Sequence, residues 1–472
     1  MVRTRIAPSP TGEDLHVGSI ATALVNYAFA KKHNGQFIVR IEDTDRTRLV
    51  QGAEERILQT LEKVGIVPDE SPKKGGPYGP YRQSERIELY QKYAHQLVEA
   101  GAAYYCTCSK ERLDNLRKEQ MAQKKPPRYD RFCRNKNLKL TDVKDREYVV
   151  RLKIPDNKEI VVDDLIRGKI FFNTKDIDDQ ILLKSDGYPT YHLAVVIDDH
   201  LMKISHVIRA EEWLPSTPKH ILLYQAFGWQ LPHFAHLPLL RNPDRSKLSK
   251  RKNPVWASWY LEQGIFPEVL VNYLALMGWS HPQGKEVFDL DEYIRVFDLK
   301  DVQKTAPIFD PVKLEWLNGE YIRKSQISNP PAGRADLKSR ILDFYRNKNI
   351  NLDERFVEKT IPLIKERIKK LSDYLPLCQF IFEPPSNYEV DITGKKDLLK
   401  EMANELEKIS DWKASIIGEA MQNLVKKLNI KTGDFFMILR IAITGKKISP
   451  PLNESMEILG KEECLRRIKN LF

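Results

Sequence analysis

The segment from Val2 to Glu42 reads VRTRIAPSPTGEDLHVGSIATALVNYAFAKKHNGQFIVRIE and decides the fold. Apolar and basic residues alternate at its start, which predicts a short strand. The two prolines of the A-P-S-P-T-G stretch lack the backbone N–H that a strand ladder needs, so the strand ends there. From Gly18 apolar residues recur at helical spacing, and Gly35 suits a left-handed cap. Residues 37–41 predict a second strand, which completes the strand–helix–strand unit of a parallel α/β sheet.

A histidine and a glycine stand where this helix begins, in the sequence His16-Val17-Gly18-Ser19. A helix N-terminus presents unpaired N–H groups and a partial positive charge, which suits a polyphosphate. Gly18 has no side chain and would let a flat base approach the backbone. The stretch matches neither G-x-G-x-x-G nor G-x-x-x-x-G-K-[ST], and taken alone it is equally compatible with a plain helix start.

A strongly basic run lies much further along the chain. Arg241 to Lys252 reads RNPDRSKLSKRK, with six basic residues and one acidic residue. Such a run by itself is most often a solvated or nucleic-acid-facing loop. It follows the strand-like sequence HLPLL, however, so Lys247 and Lys250 could clamp a triphosphate from the face opposite His16.

Composition narrows the class of protein. The chain has 472 residues, of which 42% are hydrophobic and 30% charged, which is ordinary for a water-soluble protein of several domains. Its net charge of +11 favours a polyanionic partner, because neutralised phosphates release counterions. No apolar run approaches the roughly 20 residues that span a bilayer, so we expect no membrane partner. Five cysteines are few and odd in number, which predicts a reducing, cytoplasmic location.

The H-x-G-S and K-L-S-K-R sequences together resemble the two signatures of class I aminoacyl-tRNA synthetases. Five further sequence motifs narrow the resemblance to bacterial glutamyl-tRNA synthetases, and they occur in the same order as in that family. The motifs are R-I-A-P-S-P-T-G (5–12), F-I-V-R-I-E-D-T-D (37–45), G-P-Y-R-Q-S-E-R (79–86), L-L-K-S-D-G-Y-P-T-Y-H-L-A (182–194) and V-I-R-A-E-E-W-L (207–214). The resemblance is dense to about residue 320 and looser beyond it.

The resemblance implies a Rossmann-like parallel-sheet catalytic domain that is split by an α/β insertion and followed by an all-helical anticodon-binding region. We therefore expect five stretches: residues 1–105 and 181–252 as the two halves of the catalytic domain, 106–180 as the inserted acceptor-end-binding domain, 253–325 as a helical stem-contact region and 326–472 as the helical anticodon-binding region.

Local patterns add two expectations about secondary structure. Residues 181–184 and 190–196 flank Asp186-Gly187 and predict a hairpin. In the last third of the chain, apolar stripes predict helices over Lys359–Phe382, Lys396–Ile409 and Trp412–Leu428.

The resemblance implies a glutamate–tRNA ligase that works in two steps during protein synthesis. Glutamate and ATP first give glutamyl-adenylate, and a ribose hydroxyl at the 3' end of tRNA(Glu) then takes the acyl group. His16, Lys247 and Lys250 are the expected catalytic residues, and Mg²⁺ shares the neutralisation of the phosphates. The expected ATP-binding residues are Thr11, His16, Gly18, Ser19, Glu212, Trp213, Leu214, Leu240, Lys247 and Lys250.

Glutamate selection is expected to rest on arginines, because a guanidinium can hold a carboxylate with two hydrogen bonds. Glu42 supplies the negative charge for the α-ammonium. Val195 departs from the pattern, because relatives often have Asn there. In the helical tail, Arg367 is the expected tRNA-binding residue, although a solvated helix face explains it slightly better. We expect a monomer, with these glutamate-binding residues: Arg5, Ala7, Ser9, Glu42, Tyr191 and Arg209.

Three cysteines in the insertion leave a question open. Some relatives bind structural zinc through C-x-C…C-x-[HY], which corresponds here to Cys106, Cys108 and Cys133. The fourth position is Asn135, a poor zinc ligand, and a closed zinc site needs four donors. The expectation is therefore that no metal binds.

Three other functions remain to be distinguished. A truncated relative that glutamylates a modified tRNA base lacks the helical tail that follows Ile327 here. A glutaminyl-tRNA synthetase usually has E-P-N-G where this chain has S-P-T-G. A catalytically silent RNA-binding protein would not need His16 and the two lysines.

Overall fold

The computed structural model describes residues 1–248, 254–326 and 336–472. Two compact units make up the chain: Met1–Tyr260 with Leu270–Asp310, and Leu261–Val269 with Pro311–Phe472. The five stretches expected from the sequence have finer boundaries than these units, and those boundaries stay predictions. No helix of the described residues is both long and apolar enough to cross a membrane.

All strands of the described residues belong to the first unit. They are β1 (Arg3–Ile6), β2 (Gln36–Val39), β3 (Ala103–Cys106), β4 (Val149–Leu152), β5 (Glu159–Asp164), β6 (Gly168–Asn173), β7 (Ile181–Leu183), β8 (His206–Ala210) and β9 (His233–Leu237).

Helices account for the rest of the regular structure. The first ten are α1 (Val17–Lys32), α2 (Ala53–Lys63), α3 (Ile87–Glu99), α4 (Lys110–Ala122), α5 (Leu140–Val143), α6 (Tyr191–Leu201), α7 (Thr217–Ala226), α8 (Ala257–Glu262), α9 (Pro267–Ala275) and α10 (Leu290–Val296). The others are α11 (Pro311–Lys324), α12 (Leu337–Arg346), α13 (Glu354–Ile364), α14 (Tyr374–Phe382), α15 (Lys396–Glu407), α16 (Ala414–Leu428), α17 (Thr432–Thr444), α18 (Leu452–Leu459) and α19 (Lys461–Lys469).

The strand–helix–strand unit is confirmed. β1 pairs with β2 in parallel, in register from Arg3 opposite Gln36, and α1 connects the two strands. The predicted cap at Gly35 is wrong, because Asn34 takes the left-handed conformation with φ of 51°. Asparagine tolerates that region better than most residues with a side chain, so it can end the helix without glycine.

The parallel sheet continues through strands from much later in the chain. β8 and β9 are parallel in the order β6-β5-β9-β8, while β3, β4 and β7 form a separate antiparallel sheet. The start of β8 lies beside β1, because the backbone N–H of Ser205 donates to Arg3 O at 3.0 Å. The carboxyl ends of β1, β2, β8 and β9 therefore meet at one edge, which is where open parallel sheets bind ligands.

The hairpin predicted for residues 181–196 is only half right. The turn at Asp186-Gly187 is present, with Gly187 at φ of 79°, and Lys184 N–H donates to Tyr188 O at 2.9 Å. The second arm is wrong, because α6 begins at Tyr191. This helix is apolar on most of its surface and is buried on several sides, so its sequence has the continuous apolar character that also suits an interior strand.

The second unit is helical throughout its described residues, as the tail sequence predicts. Its apolar core includes Leu399, Met421, Leu439 and Cys464. The single apolar stripe predicted over Lys359–Phe382 is divided between α13 and α14.

A cluster of buried charges lies at the carboxyl edge of the sheet. Arg40 follows β2, has no exposed surface and lies 3.0 Å from Asp199 and 3.5 Å from Asp198. Asp198 also accepts a hydrogen bond from Arg86 Nε at 2.7 Å and one from Tyr90. Buried charges are tolerated only when they are paired, so this cluster fixes the position of α6 against β2.

We predict that Asp198→Ala lowers the free energy of unfolding of the chain by about 3–5 kcal/mol, because the change leaves buried guanidinium charge without its partner. Urea unfolding followed by circular dichroism measures the effect. The matched control is Asp163→Ala, which removes an exposed carboxylate and should stay within about 0.5 kcal/mol of the unmodified chain. Equal stabilities of the two variants would contradict the role of the cluster.

Candidate active site

A cavity of about 530 Å³ opens where the strand ends meet the N-terminus of α1. The structure brings residues from widely separated parts of the first unit onto its wall. Those that the sequence predicts are Arg5, Ala7, His16, Gly18, Ser19, Glu42, Tyr191, Arg209, Glu212, Trp213, Leu240 and Lys247.

Other predicted residues do not belong to this wall. Ser9 is exposed, and Leu214 packs against the apolar core. Thr11 does not line the cavity, and its backbone N–H donates to Ser9 O at 2.8 Å. Lys250 lies outside the described residues, so its assignment remains a prediction.

His16 occupies the mouth of α1. It is the N-cap residue, and its Nδ1 accepts a hydrogen bond from the backbone N–H of Gly18 at 2.9 Å. This bond places the proton of the neutral imidazole on Nε2, so the ring offers an N–H donor in addition to those of the helix terminus. The helix mouth thus has the donors that phosphate oxygens require.

The chain passes close to His16 again after the basic run. Val17 N–H donates to Val255 O at 2.8 Å, and Ala257 N–H donates to Leu15 O at 2.9 Å. The Trp256 ring covers Gly12 so closely that a Cβ there would lie 2.5 Å from it. Glycine in the S-P-T-G word is therefore required for this approach.

Lys247, in the basic run, lines the same cavity as His16. Residues Arg241 and Lys247 form an antiparallel bridge, and Asn242 Nδ2 donates to Lys247 O at 3.0 Å, which holds this part of the basic run as a tight turn. The Lys247 ammonium pairs with Glu212 at 2.8 Å, and its side chain is 69% exposed. An exposed pair of this kind contributes little stability, so the ammonium is available to an incoming polyphosphate.

Arg5 is held at the base of the cavity by a two-point contact. Its Nε and Nη2 donate to the two oxygens of Asp199 at 3.1 and 3.0 Å. Asp199 also pairs with Arg40, and the two guanidinium groups lower the pKa of Asp199 although burial raises it. The carboxylate therefore stays ionised and fixes the edge of Arg5 that does not face the cavity.

Arg209, at the end of β8, has a different environment. Its guanidinium donates to His236 Nε2 at 3.1 Å, the Tyr191 hydroxyl at 2.9 Å and the Thr217 hydroxyl at 2.9 Å. Among the described residues, no carboxylate forms an ion pair with it. Burial lowers the pKa of Arg209. A buried guanidinium surrounded by neutral acceptors is suited to a carboxylate that the substrate would bring.

Glu42 completes the polar end of the cavity. Its Oε1 is buried and has no hydrogen-bond donor among the described residues, the Arg40 guanidinium being 3.7 Å away. Burial raises the pKa of Glu42 to about 7, although Arg40 and Arg5 lower it. A buried carboxylate oxygen without a donor suits a substrate ammonium group, which would provide both the missing hydrogen-bond donor and a positive charge.

The wall between these groups is largely apolar. The Tyr191 ring lies 4.4 Å from that of Trp213, and Val195 faces the cavity one helical turn after Tyr191. Valine can neither donate nor accept a hydrogen bond, so the departure from the family pattern removes one polar contact from this wall.

Sequence reasoning missed the residues that hold these side chains in place. Asp198 and Asp199 come at the end of an apolar run, V-V-I-D-D-H, and acidic residues seldom lie buried there unless arginines pair with them. That pattern was the available signal for Asp199. Nothing in the spacing of Asp164 and His236 indicates that their side chains meet.

The three cysteines of the insertion meet in space. The sulfur atoms of Cys106, Cys108 and Cys133 lie within 4.8 Å of one another. The distance between the sulfur atoms of Cys108 and Cys133 is 3.5 Å. Two sulfur ligands of one tetrahedral zinc lie roughly 3.8 Å apart, so the spacing fits. The hydroxyl of Tyr129 is 3.3 Å from Cys106 and 3.4 Å from Cys108. Tyr129 thus places an oxygen where the sequence suggested only Asn135, but burial raises the pKa of this phenol, so it would have to lose its proton to serve as the fourth donor.

Arg367 belongs to the second unit. It is exposed, and its Nη1 donates to Ser449 O at 3.0 Å. Arg440 donates to the same residue and to Pro450 O. A role of Arg367 in tRNA binding stays a prediction.

Comparison with known proteins assigns both parts of the chain. The family described as "tRNA synthetases class I (E and Q), catalytic domain" matches residues 1–316, and the family described as "Anticodon binding domain" matches residues 336–472. The fold and the cavity thus define a class I tRNA synthetase with a helical anticodon-binding region.

Relatives along the whole chain narrow the class. A protein of Acidothermus cellulolyticus named glutamate–tRNA ligase is 46% identical, over 99% of this chain and 95% of its own length. One of Dehalococcoides mccartyi with the same name is 47% identical, over 99% of this chain and 97% of its own length. The crystal structure of a glutamate tRNA ligase from Elizabethkingia meningosepticum in complex with its amino acid superposes with a TM-score of 0.85 at 38% identity, covering 100% of this chain and 99% of the other. The chain belongs to the glutamate–tRNA ligase family.

We predict that the purified protein contains one tightly bound zinc ion, because three thiols and a phenol converge at the spacing of a tetrahedral site. Burial raises the pKa of the Cys108 thiol to about 11, so this thiol is protonated unless a metal displaces the proton. Elemental analysis of the dialysed protein measures the content, which Cys133→Ser should abolish. Cys464→Ser, which changes a buried cysteine of the second unit, is the control. A metal-free unmodified protein would support the absence of metal expected from the sequence.

Proposed function

We propose that this chain activates L-glutamate with ATP and transfers the glutamyl group to tRNA(Glu), in the cytoplasm and as a monomer. The observation that carries the proposal is one cavity in which a helix mouth and a basic turn, suited to a triphosphate, adjoin arginines and a carboxylate suited to an amino acid. In the first step an α-carboxylate oxygen of glutamate attacks the α-phosphorus of ATP, and pyrophosphate leaves.

The contacts of Arg209 support glutamate as the amino acid. Arg5, Arg40 and Arg86 pair directly with carboxylates, whereas Arg209 donates to neutral acceptors and the Asp164 carboxylate reaches it only through His236. The side-chain carboxylate of glutamate would give the Arg209 guanidinium a charged partner, whereas the amide of glutamine would leave it with neutral groups alone.

Glu42 is proposed to bind the α-ammonium. Its Oε1 is buried and lacks a donor, so the ammonium would satisfy an acceptor that is otherwise costly to bury. With the ammonium held there and the side-chain carboxylate against the arginines, the α-carboxylate is turned toward His16. Fixing the reacting groups in this way supplies much of the rate enhancement in a reaction that needs little covalent catalysis.

His16 and the N-terminus of α1 are proposed to hold the phosphates. Lys247 lines the same cavity and, together with Lys250, would stabilise the charge that builds up on the departing pyrophosphate. Reaching the phosphate requires the Lys247 ammonium to exchange Glu212 for a phosphate oxygen, which its exposed position permits.

Mg²⁺ is proposed as the accompanying ion, and it would neutralise phosphate oxygens when bound. The acidic residues on the described cavity wall are Glu42 and Glu212, and Glu212 already pairs with Lys247. Mg²⁺ is usually held by one or two carboxylates together with substrate phosphates and waters, so these residues fit an ion held mainly by ATP.

In the second step a ribose hydroxyl of the tRNA attacks the glutamyl carbonyl, and AMP leaves. The net charge of +11 supports a polyanionic partner. We propose Arg367 as one contact in the anticodon-binding region, since its guanidinium is exposed and donates to the backbone carbonyl of Ser449 rather than to a carboxylate.

We predict that the purified enzyme attaches radiolabelled glutamate to tRNA(Glu) and that glutamine is used at least about 10⁴-fold less well, because a site built for one polar group rejects the analogue that leaves its partners unpaired. Aminoacylation of purified glutamate and glutamine tRNAs measures both reactions. ATP–pyrophosphate exchange with glutamate is expected only in the presence of tRNA. Charging with glutamine but not glutamate would overturn the proposal, and tRNA binding without adenylate would indicate an RNA-binding protein.

We predict that glutamate binding strengthens as the pH rises toward 7. Glu42 must be ionised to pair with the ammonium, and its pKa in the empty site is about 7, so below that pH binding has to release a proton. As the pH is raised toward 7, the KM for glutamate should therefore fall by up to about tenfold for each pH unit. Above pH 7 it should become constant.

Glu42→Gln separates this cause from other titrations. Its KM for glutamate should be higher and should lose the pH dependence, because an amide accepts a hydrogen bond without titrating. Glu13→Gln, which changes an exposed carboxylate, should keep the profile of the unmodified enzyme. A KM that depends on pH equally in both variants would contradict the role of Glu42.

A further inference from the structure

Asp164, His236 and Arg209 form a buried line that ends at the cavity. Asp164 is the last residue of β5, and His236 lies on β9, which pairs with β5 at this point. Asp164 Oδ2 lies 2.6 Å from His236 Nδ1, and His236 Nε2 accepts from Arg209 Nε at 3.1 Å. The side chains of the aspartate and the histidine are completely buried.

The aspartate decides which nitrogen of the histidine carries the proton. Burial raises the pKa of Asp164. Hydrogen bonds from His236 and from the backbone N–H groups of Arg167 and Ile166 lower it by more, so the pKa is lowered overall. Burial lowers the pKa of His236, so the imidazole is neutral. The single ring proton then lies on Nδ1, facing the carboxylate, and Nε2 remains an acceptor. Only this tautomer can receive the N–H of Arg209.

The other contacts of Arg209 are made by its two terminal nitrogens. Nη2 donates to Thr217 Oγ1 at 2.9 Å and to Trp213 O at 3.3 Å, while Nη1 lies 2.9 Å from the Tyr191 hydroxyl and 3.4 Å from His220. Thr217 Oγ1 lies 3.2 Å from His236 Nε2, so Thr217 and His236 together hold the edge formed by Nε and Nη2. In the described part of the chain only His236 accepts from Nε, so the direction of that edge depends on the acceptor at its Nε2.

We propose that Asp164 and His236 are positioning residues for glutamate selection: Asp164 fixes the tautomer of His236, which orients the Arg209 guanidinium toward the substrate carboxylate. The inference rests on the proposed function. Neither residue reaches the wall of the cavity among the described residues that line it. Their effect on the amino acid is therefore transmitted through Arg209.

Asp164→Asn tests the tautomer directly. Asp164 Oδ1 accepts from the backbone N–H groups of Ile166 and Arg167 at 3.0 and 2.9 Å, and an asparagine oxygen can keep both bonds. The amide nitrogen would then face His236 Nδ1 and force the proton onto Nε2, where it opposes the N–H of Arg209. We expect the KM for glutamate to rise about 10- to 100-fold, as for the loss of a hydrogen bond to a charged group, with the KM for ATP changing less than about twofold.

Two comparisons distinguish positioning from a merely structural role. Asp163→Asn makes the same change at the neighbouring exposed residue and should alter neither KM. His236→Gln gives Arg209 a neutral acceptor that has no ring tautomers for Asp164 to control. Adding Asp164→Asn to this variant should therefore raise the KM for glutamate by less than about twofold. Thermal unfolding followed by circular dichroism verifies that each variant is folded.

An unchanged KM for glutamate in folded Asp164→Asn would overturn the inference. So would an equal rise of both KM values, or a full additional effect in the His236→Gln background, because each would show that Asp164 does not act through the histidine. If Asp164→Asn does not fold, His236→Ala still decides, since it removes the acceptor of Arg209 Nε and must raise the KM for glutamate while that for ATP stays constant. Failure of the unmodified enzyme to charge tRNA with glutamate would instead refute the proposed function.

Discussion

The guanidinium of Arg40 is completely buried, and the chain has to keep its charge paired. Asp198 and Asp199 meet that requirement from the end of α6, and Asp199 also holds Arg5 on β1. One set of ion pairs thus joins segments that are almost 200 residues apart in the chain. Replacing buried ion pairs with apolar residues is often neutral for stability, so stability alone does not explain this cluster. Its arrangement also leaves Glu42 Oε1 buried without a hydrogen-bond donor from the described residues, with the pKa of Glu42 raised by burial, which suits the ammonium group of an amino acid.

The two ends of the cavity meet different physical demands. At the phosphate end, the donors are a helix terminus, the His16 imidazole and the exposed ammonium of Lys247, which can follow a group that moves and leaves. At the amino-acid end, Arg5 and Arg209 are buried and held by several bonds each, which limits the geometries that a ligand can adopt. In the proposed reaction an exposed cation would therefore face the leaving group, while buried cations held by several hydrogen bonds would face the group that must be recognised.

Much of this arrangement could be predicted from local sequence. The alternation in β1, the spacing in α1 and the words around His16 and Lys247 depend on short-range patterns, and the structure confirms the fold that they imply. The start of the helix from Tyr191 to Leu201 was predicted as a strand. Its apolar residues are consecutive, so they show neither the 3.6-residue period of a helix nor the two-residue period of a strand. The pairing of Asp164 with His236 depends on the register of β5 beside β9, which no local pattern specifies. Tyr129 was missed for the same reason, since only the folded chain brings its hydroxyl among the three thiols.

The central claim is that one cavity orients glutamate through Glu42 and the arginines while the helix mouth holds the phosphate. A crystal structure with a sulfamoyl analogue of glutamyl-adenylate tests it most directly. The account predicts the ammonium of the analogue within hydrogen-bond distance of Glu42 Oε1, its side-chain carboxylate between Arg5 and Arg209, and its sulfamoyl group beside His16. An analogue bound with its ammonium elsewhere, leaving Glu42 Oε1 still without a donor, would contradict the account.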